Sequence, residues 1–160
     1  MRLYLVRHAS AVPSGTPGIP DDERPLTPRG ERKWRRAARG LARLLKRPDA
    51  LLSSPLPRAW RTAEIAAAAW GRVNAEPADV LAHGDFDAWE ALLSTYGPDA
   101  RVALVGHEPH LSQLLASLVG GGAPAMPFKK GGVAVVDVAG RFADGGSLLA
   151  VLPPGLLRRR

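Results

Sequence analysis

The 160-residue chain has no cysteine, which excludes disulfides, zinc–thiolate centres and a cysteine nucleophile. It has no apolar run near the roughly 18 residues of a membrane helix. The first apolar run, Leu3-Tyr4-Leu5-Val6, is interrupted by Arg7 and His8. It is therefore not read as a signal peptide, and the expected location is the cytoplasm. No Walker loop and no dinucleotide-binding glycine pattern occur, and Gly120-Gly121-Gly122 is too short for either. The four histidines show neither the HxxxH nor the HExxH spacing of a metal site. Ser53 and Ser54 lack a nucleophile elbow, so their expected work is to end a strand and cap the helix after it.

What is present is an ordinary globular composition, 46% hydrophobic and 23% charged, with a formal net charge of +7. Residues 1–80 hold 15 Lys/Arg against 8 Asp/Glu, and residues 81–160 hold 7 against 7, so the excess lies in the first half. Arginines outnumber lysines 18 to 4, which fits a GC-rich coding bias. The basic stretch 29–47 lacks the aromatic interleaving that stacks bases. Neither nucleic acid nor a membrane is expected as a partner.

Strand patterns fall at 2–6, 50–54, 102–105, 133–138 and 147–152, with a weaker one at 79–82. Thr27 reads as the N-cap of a helix with Pro28 at its first position. Further helices are expected over 57–70, 86–96 and 110–119, the last ended by Gly120-Gly121-Gly122. Phe86, Trp89, Leu92, Leu93 and Tyr96 share one face and read as core. The Pro- and Gly-rich stretch 10–26 is a long loop of the kind that carries function. Alternating strands and helices predict a three-layer α/β/α sandwich with a mainly parallel sheet and a C-terminal antiparallel strand. One domain over 1–152 is expected, followed by a frayed basic tail, 153–160.

Four short motifs carry the chemistry. Val6-Arg7-His8 ends the first strand, and Leu26-Thr27-Pro28-Arg29-Gly30 opens the first helix. Ser53-Ser54-Pro55-Leu56-Pro57-Arg58-Ala59 links a strand to a helix, and Gly106-His107-Glu108-Pro109 ends the third clear strand. Ligands of open α/β sheets bind outside the carboxyl ends of strands. A phosphoryl group in transfer spreads negative charge over its oxygens, and catalysis is mostly positioning and electrostatic stabilisation. Arginine matches phosphate with a fixed, permanently charged fork. Arg7 and Arg58 fit that role, and Arg58 also lies in a helix's first turn, where backbone N–H groups favour an anion. His107 can donate to the same oxygens. His8 is then free to act as a nucleophile that carries phosphate on nitrogen. No metal or other cofactor is called for. His110 reads as a helix-surface residue, Thr27 and Gly30 as structural, and Lys129 and Lys130 as a solvated pair.

With these residues the chain resembles the histidine phosphatase superfamily, most closely its small SixA-type phosphohistidine phosphatases. The resemblance rests on Leu-Val-Arg-His-Ala at 5–9, Asp-x-x-Arg-Pro-Leu-Thr-x-x-Gly at 21–30, Ser-Ser-Pro-x-x-Arg-Ala-x-x-Thr-Ala at 53–63 and Val-Gly-His-Glu-Pro at 105–109. It implies that His8 forms a phosphohistidine, that Arg7, Arg58 and His107 surround the phosphate, and that Arg24 touches substrate. Ala9 stands where the best-known signature has glycine, as is common in the SixA branch. The stretch in which larger members carry a general-acid carboxylate offers only His83 and Asp85 here, and their large substrate-covering insertions are missing.

These departures bear on substrate. An alkoxide leaving group needs a proton in the transition state, whereas histidine leaves as an imidazole with a pKa of about 6.5. The expected activity is therefore a metal-independent phosphohistidine phosphatase acting on a histidine-phosphorylated protein, such as a phosphotransfer domain or a phosphocarrier. The chain itself is expected to be a monomer. Two alternatives stand beside it: a phosphatase of small monoesters with Asp85 or His83 as acid, and a phosphoprotein-binding module with little catalysis.

Overall fold

Apolar side chains alternate along the central strands, and the alternation builds two separate cores. The computed structural model describes residues 1–120, 128–140 and 142–159. In chain order its elements are β1 (Arg2–Arg7), α1 (Pro28–Leu44), β2 (Ala50–Ser53), α2 (Pro57–Trp70), β3 (Ala75–Pro77), α3 (Phe86–Leu93), β4 (Arg101–Gly106), α4 (His110–Val119), β5 (Val133–Asp137), β6 (Ser147–Leu152) and α5 (Pro154–Leu157). Successive strand residues face opposite sides of a sheet. Tyr4, Val6, Leu51, Ala103, Val105, Val133 and Val135 accordingly meet α1 and α2 through Trp34, Leu41, Ala59 and Ala63. Leu3, Leu5, Leu52, Leu104, Ala134 and Val136 meet Trp89, Leu93, Leu111 and Leu115 of α3 and α4. The result is the expected three-layer sandwich.

The sheet runs β3-β2-β4-β1-β5-β6. β3, β2, β4 and β1 are parallel, while β5 is antiparallel to β1 and β6 to β5. β4 enters between β1 and β2, with Arg7 opposite Gly106 and Ser53 opposite Val105. Three parallel strands thus finish side by side at one edge, where their N–H and C=O groups are still paired: His8 N donates to Gly106 O at 3.0 Å and Ser54 N to Val105 O at 3.0 Å.

Thr27 caps α1 as expected, its hydroxyl accepting Gly30 N at 2.9 Å. Gly30 lets α1 press on the preceding loop, since a Cβ there would lie 2.1 Å from Ser10 O. Several expectations need correction. Residues 79–82 form a 3-10 turn that buries Leu81, and the strand beside β2 is Ala75–Pro77. The third helix stops at Leu93, with Thr95 and Tyr96 in the turn after it. Gly120 ends α4 at φ 78°, whereas Gly121 and Gly122 lie outside the described residues. Residues 154–157, expected as frayed tail, form α5, whose Leu157 is fully buried and whose backbone lies where a Cβ on Gly40 would be, 2.0 Å from Leu157 O.

Candidate active site

β1 delivers Arg7 and His8, β4 delivers His107, and the link from β2 into α2 delivers Ser54 and Arg58. Because β1 and β4 are neighbours in register, the His8 and His107 rings lie side by side, centroids 5.2 Å apart at 50°. His8, Arg58 and His107 are each only 6% exposed. Arg7 is half-buried.

His8 Nδ1 lies 2.8 Å from Ala9 O. A carbonyl only accepts, so Nδ1 carries the proton and Nε2 keeps a free lone pair. Ala9 N in turn donates to Thr62 Oγ1 at 3.0 Å, and that hydroxyl donates to Arg58 O at 2.7 Å. Thr62 therefore couples the loop that sets the His8 ring to the helical turn that sets Arg58. His107 Nε2 lies 2.8 Å from Ser54 Oγ, which also accepts Leu56 N at 3.3 Å. A hydroxyl can accept and donate at once, so Ser54 can accept Leu56 N and give its own proton to His107 Nε2, the other ring nitrogen having no partner among the described residues. The His107 proton then sits on Nδ1.

Among the described residues, Arg7 Nε, Arg58 Nε and His107 Nδ1 are buried without a hydrogen-bond partner. Buried polar groups in native proteins are nearly always paired, so three such donors in one cluster require an explanation. Their charges act on one another. Burial pushes His8 down to about 4 against the pull of its Ala9 hydrogen bond, and Arg58, Arg7 and Lys130 push the same way. Burial pushes His107 down to about 3, helped by His8, Arg58, His110 and Arg24. Both rings are neutral at pH 7. Burial also lowers Arg7 and Arg58, but guanidinium stays charged in proteins.

Arg24 joins the rim. It donates to Val12 O at 2.8 Å and pairs with Asp21 at 2.8 Å. Arg58 Nη1 reaches Asp21 O at 2.9 Å, and its Nη2 lies 3.8 Å from the Asp21 carboxylate. The Asp21–Glu23 3-10 turn thus roofs Arg58 through backbone as well as charge. Among the described residues, no hydrogen bond joins Asp85 or His83 to this cluster. Asp85 is exposed and caps α3, accepting Ala88 N at 3.1 Å, while His83 is exposed with its carbonyl accepting Trp89 Nε1 at 3.0 Å.

Sequence reasoning missed four supports. Ser54 holds His107 and does not cap α2, whose N-cap is Leu56 without a side-chain bond. Thr62 belongs to the third motif, whose spacing gives no sign of its bonds to Ala9 and Arg58. Glu108 accepts Phe128 N at 3.3 Å, and Phe128 O accepts Arg7 Nη1, so the backbone of Phe128 ties Glu108 to Arg7. Ser112, one turn on, donates to Glu108. The available signal was the i, i+4 spacing of Glu108 and Ser112. His110, expected at the surface, is half-buried, its Nδ1 buried against Gly84. Among the described residues no group of three or more His, Asp or Glu could hold a metal ion, and no helix is long and apolar enough to cross a membrane.

Known proteins are similar to this chain in sequence and in fold. The family model described as histidine phosphatase superfamily (branch 1) matches residues 3–96. An uncharacterized protein of Picosynechococcus sp. is 38% identical over 116 residues, 71% of this chain and 70% of that one. The protein histidine phosphatase SixA complexed with tungstate superposes with a TM-score of 0.84 at 25% identity, covering 98% of this chain and 99% of that chain. The alpha-ribazole phosphatase of Shigella flexneri shares the fold, with a TM-score of 0.71 at 22% identity over 96% of this chain and 97% of that one.

Proposed function

The chain belongs to the histidine phosphatase superfamily, branch 1, and from that premise we propose that this phosphatase removes phosphate from phosphohistidine on a partner protein. The observation that carries the reading is the set of buried, unpartnered donors, Arg7 Nε, Arg58 Nε and His107 Nδ1, beside a His8 whose Nε2 is free. Likeness to the SixA structure supports the substrate class.

In the first step His8 Nε2 attacks phosphorus in line, forming an N–P bond as the N–P bond to the partner's ring breaks. The partner's imidazole, protonated on its other nitrogen, leaves as a neutral ring. It needs no acid from the enzyme, because that ring is a weak base with a pKa of about 6.5. This accommodates an Asp85 engaged in capping and an exposed His83. The phosphorylated His8 ring keeps its proton on Nδ1, and Ala9 O stabilises the positive charge. In the second step water attacks phosphorus, the bond to His8 breaks to return the neutral Nδ1-protonated ring, and both of the water's protons leave with the phosphate as dihydrogen phosphate, which then equilibrates with solvent. Arg7, Arg58 and the His107 N–H hold the oxygens throughout and supply the charge that a metal would otherwise bring. Arg24 at the rim contacts the substrate phosphate or its carrier.

The test compares kcat/KM on a phosphohistidine-bearing phosphotransfer domain with that on a panel of small phosphate monoesters, in EDTA, with His8→Ala as control. Preference for phosphohistidine, lost in His8→Ala, is the expected result. Equal or better turnover of one monoester would move the function to small-molecule metabolism, with Asp85 and His83 as the next candidates for the acid. Phosphoprotein binding without turnover of any substrate would leave a binding module.

A further inference from the structure

Most arginines whose side chains are hydrogen-bonded among the described residues meet carboxylates. Arg2, Arg24, Arg35, Arg61 and Arg101 all form ion pairs of 3.3 Å or less. Four cations beside the candidate active site form none among the described residues. Lys33 of α1, Lys129 and Lys130 of the segment before β5, and Arg158 after α5 line one cavity of about 230 Å³, and among the described residues no acidic side chain lines it with them. Trp34 and Pro154 lie beneath Gly131, where a Cβ would come within 3.3 Å of the indole. Gly131 has φ 74°, a conformation that glycine adopts without strain. A side chain at this turn would press on the indole that lines the cavity.

The groove is continuous with the chemistry. Ala9 and Ser10, which follow His8, form part of its wall. Gly131 N donates to both Arg7 O and His8 O at 3.1 Å. Lys130 is close enough for its charge to bear on the His8 ring. Lys129 and Lys130 are exposed, while Lys33 and Arg158 are half-buried. Holding like charges together without counterions is unfavourable, and an acidic partner relieves it while also steering encounter.

We infer that this groove docks an acidic segment of the phosphorylated protein, so that carboxylates flanking the phosphohistidine bind Lys33, Lys129, Lys130 and Arg158 while the phosphoryl group reaches His8. The inference rests on the proposed phosphohistidine activity for its occupant, and it can be tested apart from that activity. The probes are two dye-labelled peptides of equal length around one histidine, one flanked by Asp and Glu, the other by Ser and Ala. Unphosphorylated, they report docking by fluorescence anisotropy. Phosphorylated with phosphoramidate, they report turnover.

The acidic peptide is expected to bind about tenfold tighter than the neutral one at low salt. Lys33→Glu/Arg158→Glu should abolish the preference, whereas Arg36→Glu/Arg39→Glu, an equal change of net charge on exposed α1 positions outside the groove, should preserve it. Lys129→Glu, at an exposed site, repeats the test should the double variant fold poorly. Equal binding of both peptides, or a preference that survives in the groove variants or disappears in the control, would overturn the inference. Preferential binding with no hydrolysis of the phosphorylated peptides, in a protein that cleaves a monoester, would leave the groove standing and remove the phosphohistidine reading.

Discussion

At the amino ends of the central strands, Arg2 pairs with Asp137 at 3.3 Å and Arg101 with Asp49 at 2.9 Å. At the carboxyl ends, Arg7 and Arg58 bury Nε atoms that meet no partner among the described residues. The amino end also holds the larger cavity, about 710 Å³, lined by Arg2, Tyr4, Asp99, Arg101 and Asp137. Volume alone would point there. Yet its arginines are already neutralised by acids and exposed to water, where such pairs contribute little. The carboxyl end keeps positive charge out of water with its compensation incomplete. That arrangement costs stability, and it suits an incoming anion.

The contrast breaks most sharply at His8. His8→Ala is expected to lower kcat/KM more than about 10³-fold, because the covalent route is lost; steady-state kinetics on the phosphohistidine substrate checks it. Arg58→Ala should cost roughly 10²- to 10³-fold by removing one preorganised donor. Tungstate affinity should fall in parallel.

Acid stability reads the same contrast without substrate. His8 and His107 take a proton only near pH 4 and 3 when folded, against about 6.5 when unfolded. Between those values the unfolded chain binds more protons, so stability falls as pH drops from about 6.5 and this part of the decline flattens below about 3. Asp21, Glu31 and Asp49 have lowered values, so their stabilisation is lost only as pH falls through the carboxylate range. Urea unfolding from pH 7 to 5 therefore isolates the two rings, at up to roughly 2 kcal/mol each. His8→Asn should make that decline shallower. An unchanged slope would remove His8 from the account of acid sensitivity.

Smaller effects sharpen the comparison. Ser54→Ala frees His107 to choose its tautomer and should lower kcat about tenfold with little change in KM. Arg101→Ala, at the opposite end, should leave kcat/KM within about twofold and change stability by less than about 1 kcal/mol.

Much of this was legible in the sequence. The strands that bear the site are apolar runs stopped by a charged or polar residue, and their order with helices between them fixes which ends meet. His8, Arg7, Arg58 and His107 were therefore readable as one cluster. Arg24 was readable from its motif. β3 was not, because Ala75-Glu76-Pro77 is a three-residue exposed edge strand with no apolar alternation, while Val80-Leu81 imitates a strand and forms a 3-10 turn. Leu157 was hidden by the prolines and arginines around it, since its burial depends on Gly40 across the fold. Ser54, Thr62 and the Glu108–Phe128–Arg7 link act through partners 20 to 121 positions away. Local pattern carries no trace of such pairings. His110 was misplaced for a similar reason, because what buries it is Gly84 from another loop.

The central claim is that the buried, unpartnered nitrogens of Arg7, His107 and Arg58 at the carboxyl ends of β1, β4 and β2 serve to put a phosphoryl group on His8. The most direct measurement is mass spectrometry of the enzyme quenched in alkali within milliseconds of mixing with a phosphohistidine substrate, where phosphohistidine survives. A phosphoryl group on Nε2 of His8, formed and lost at rates compatible with turnover, is the predicted result. Turnover with no adduct, or with the adduct on another residue such as His107 or Ser54, would contradict it.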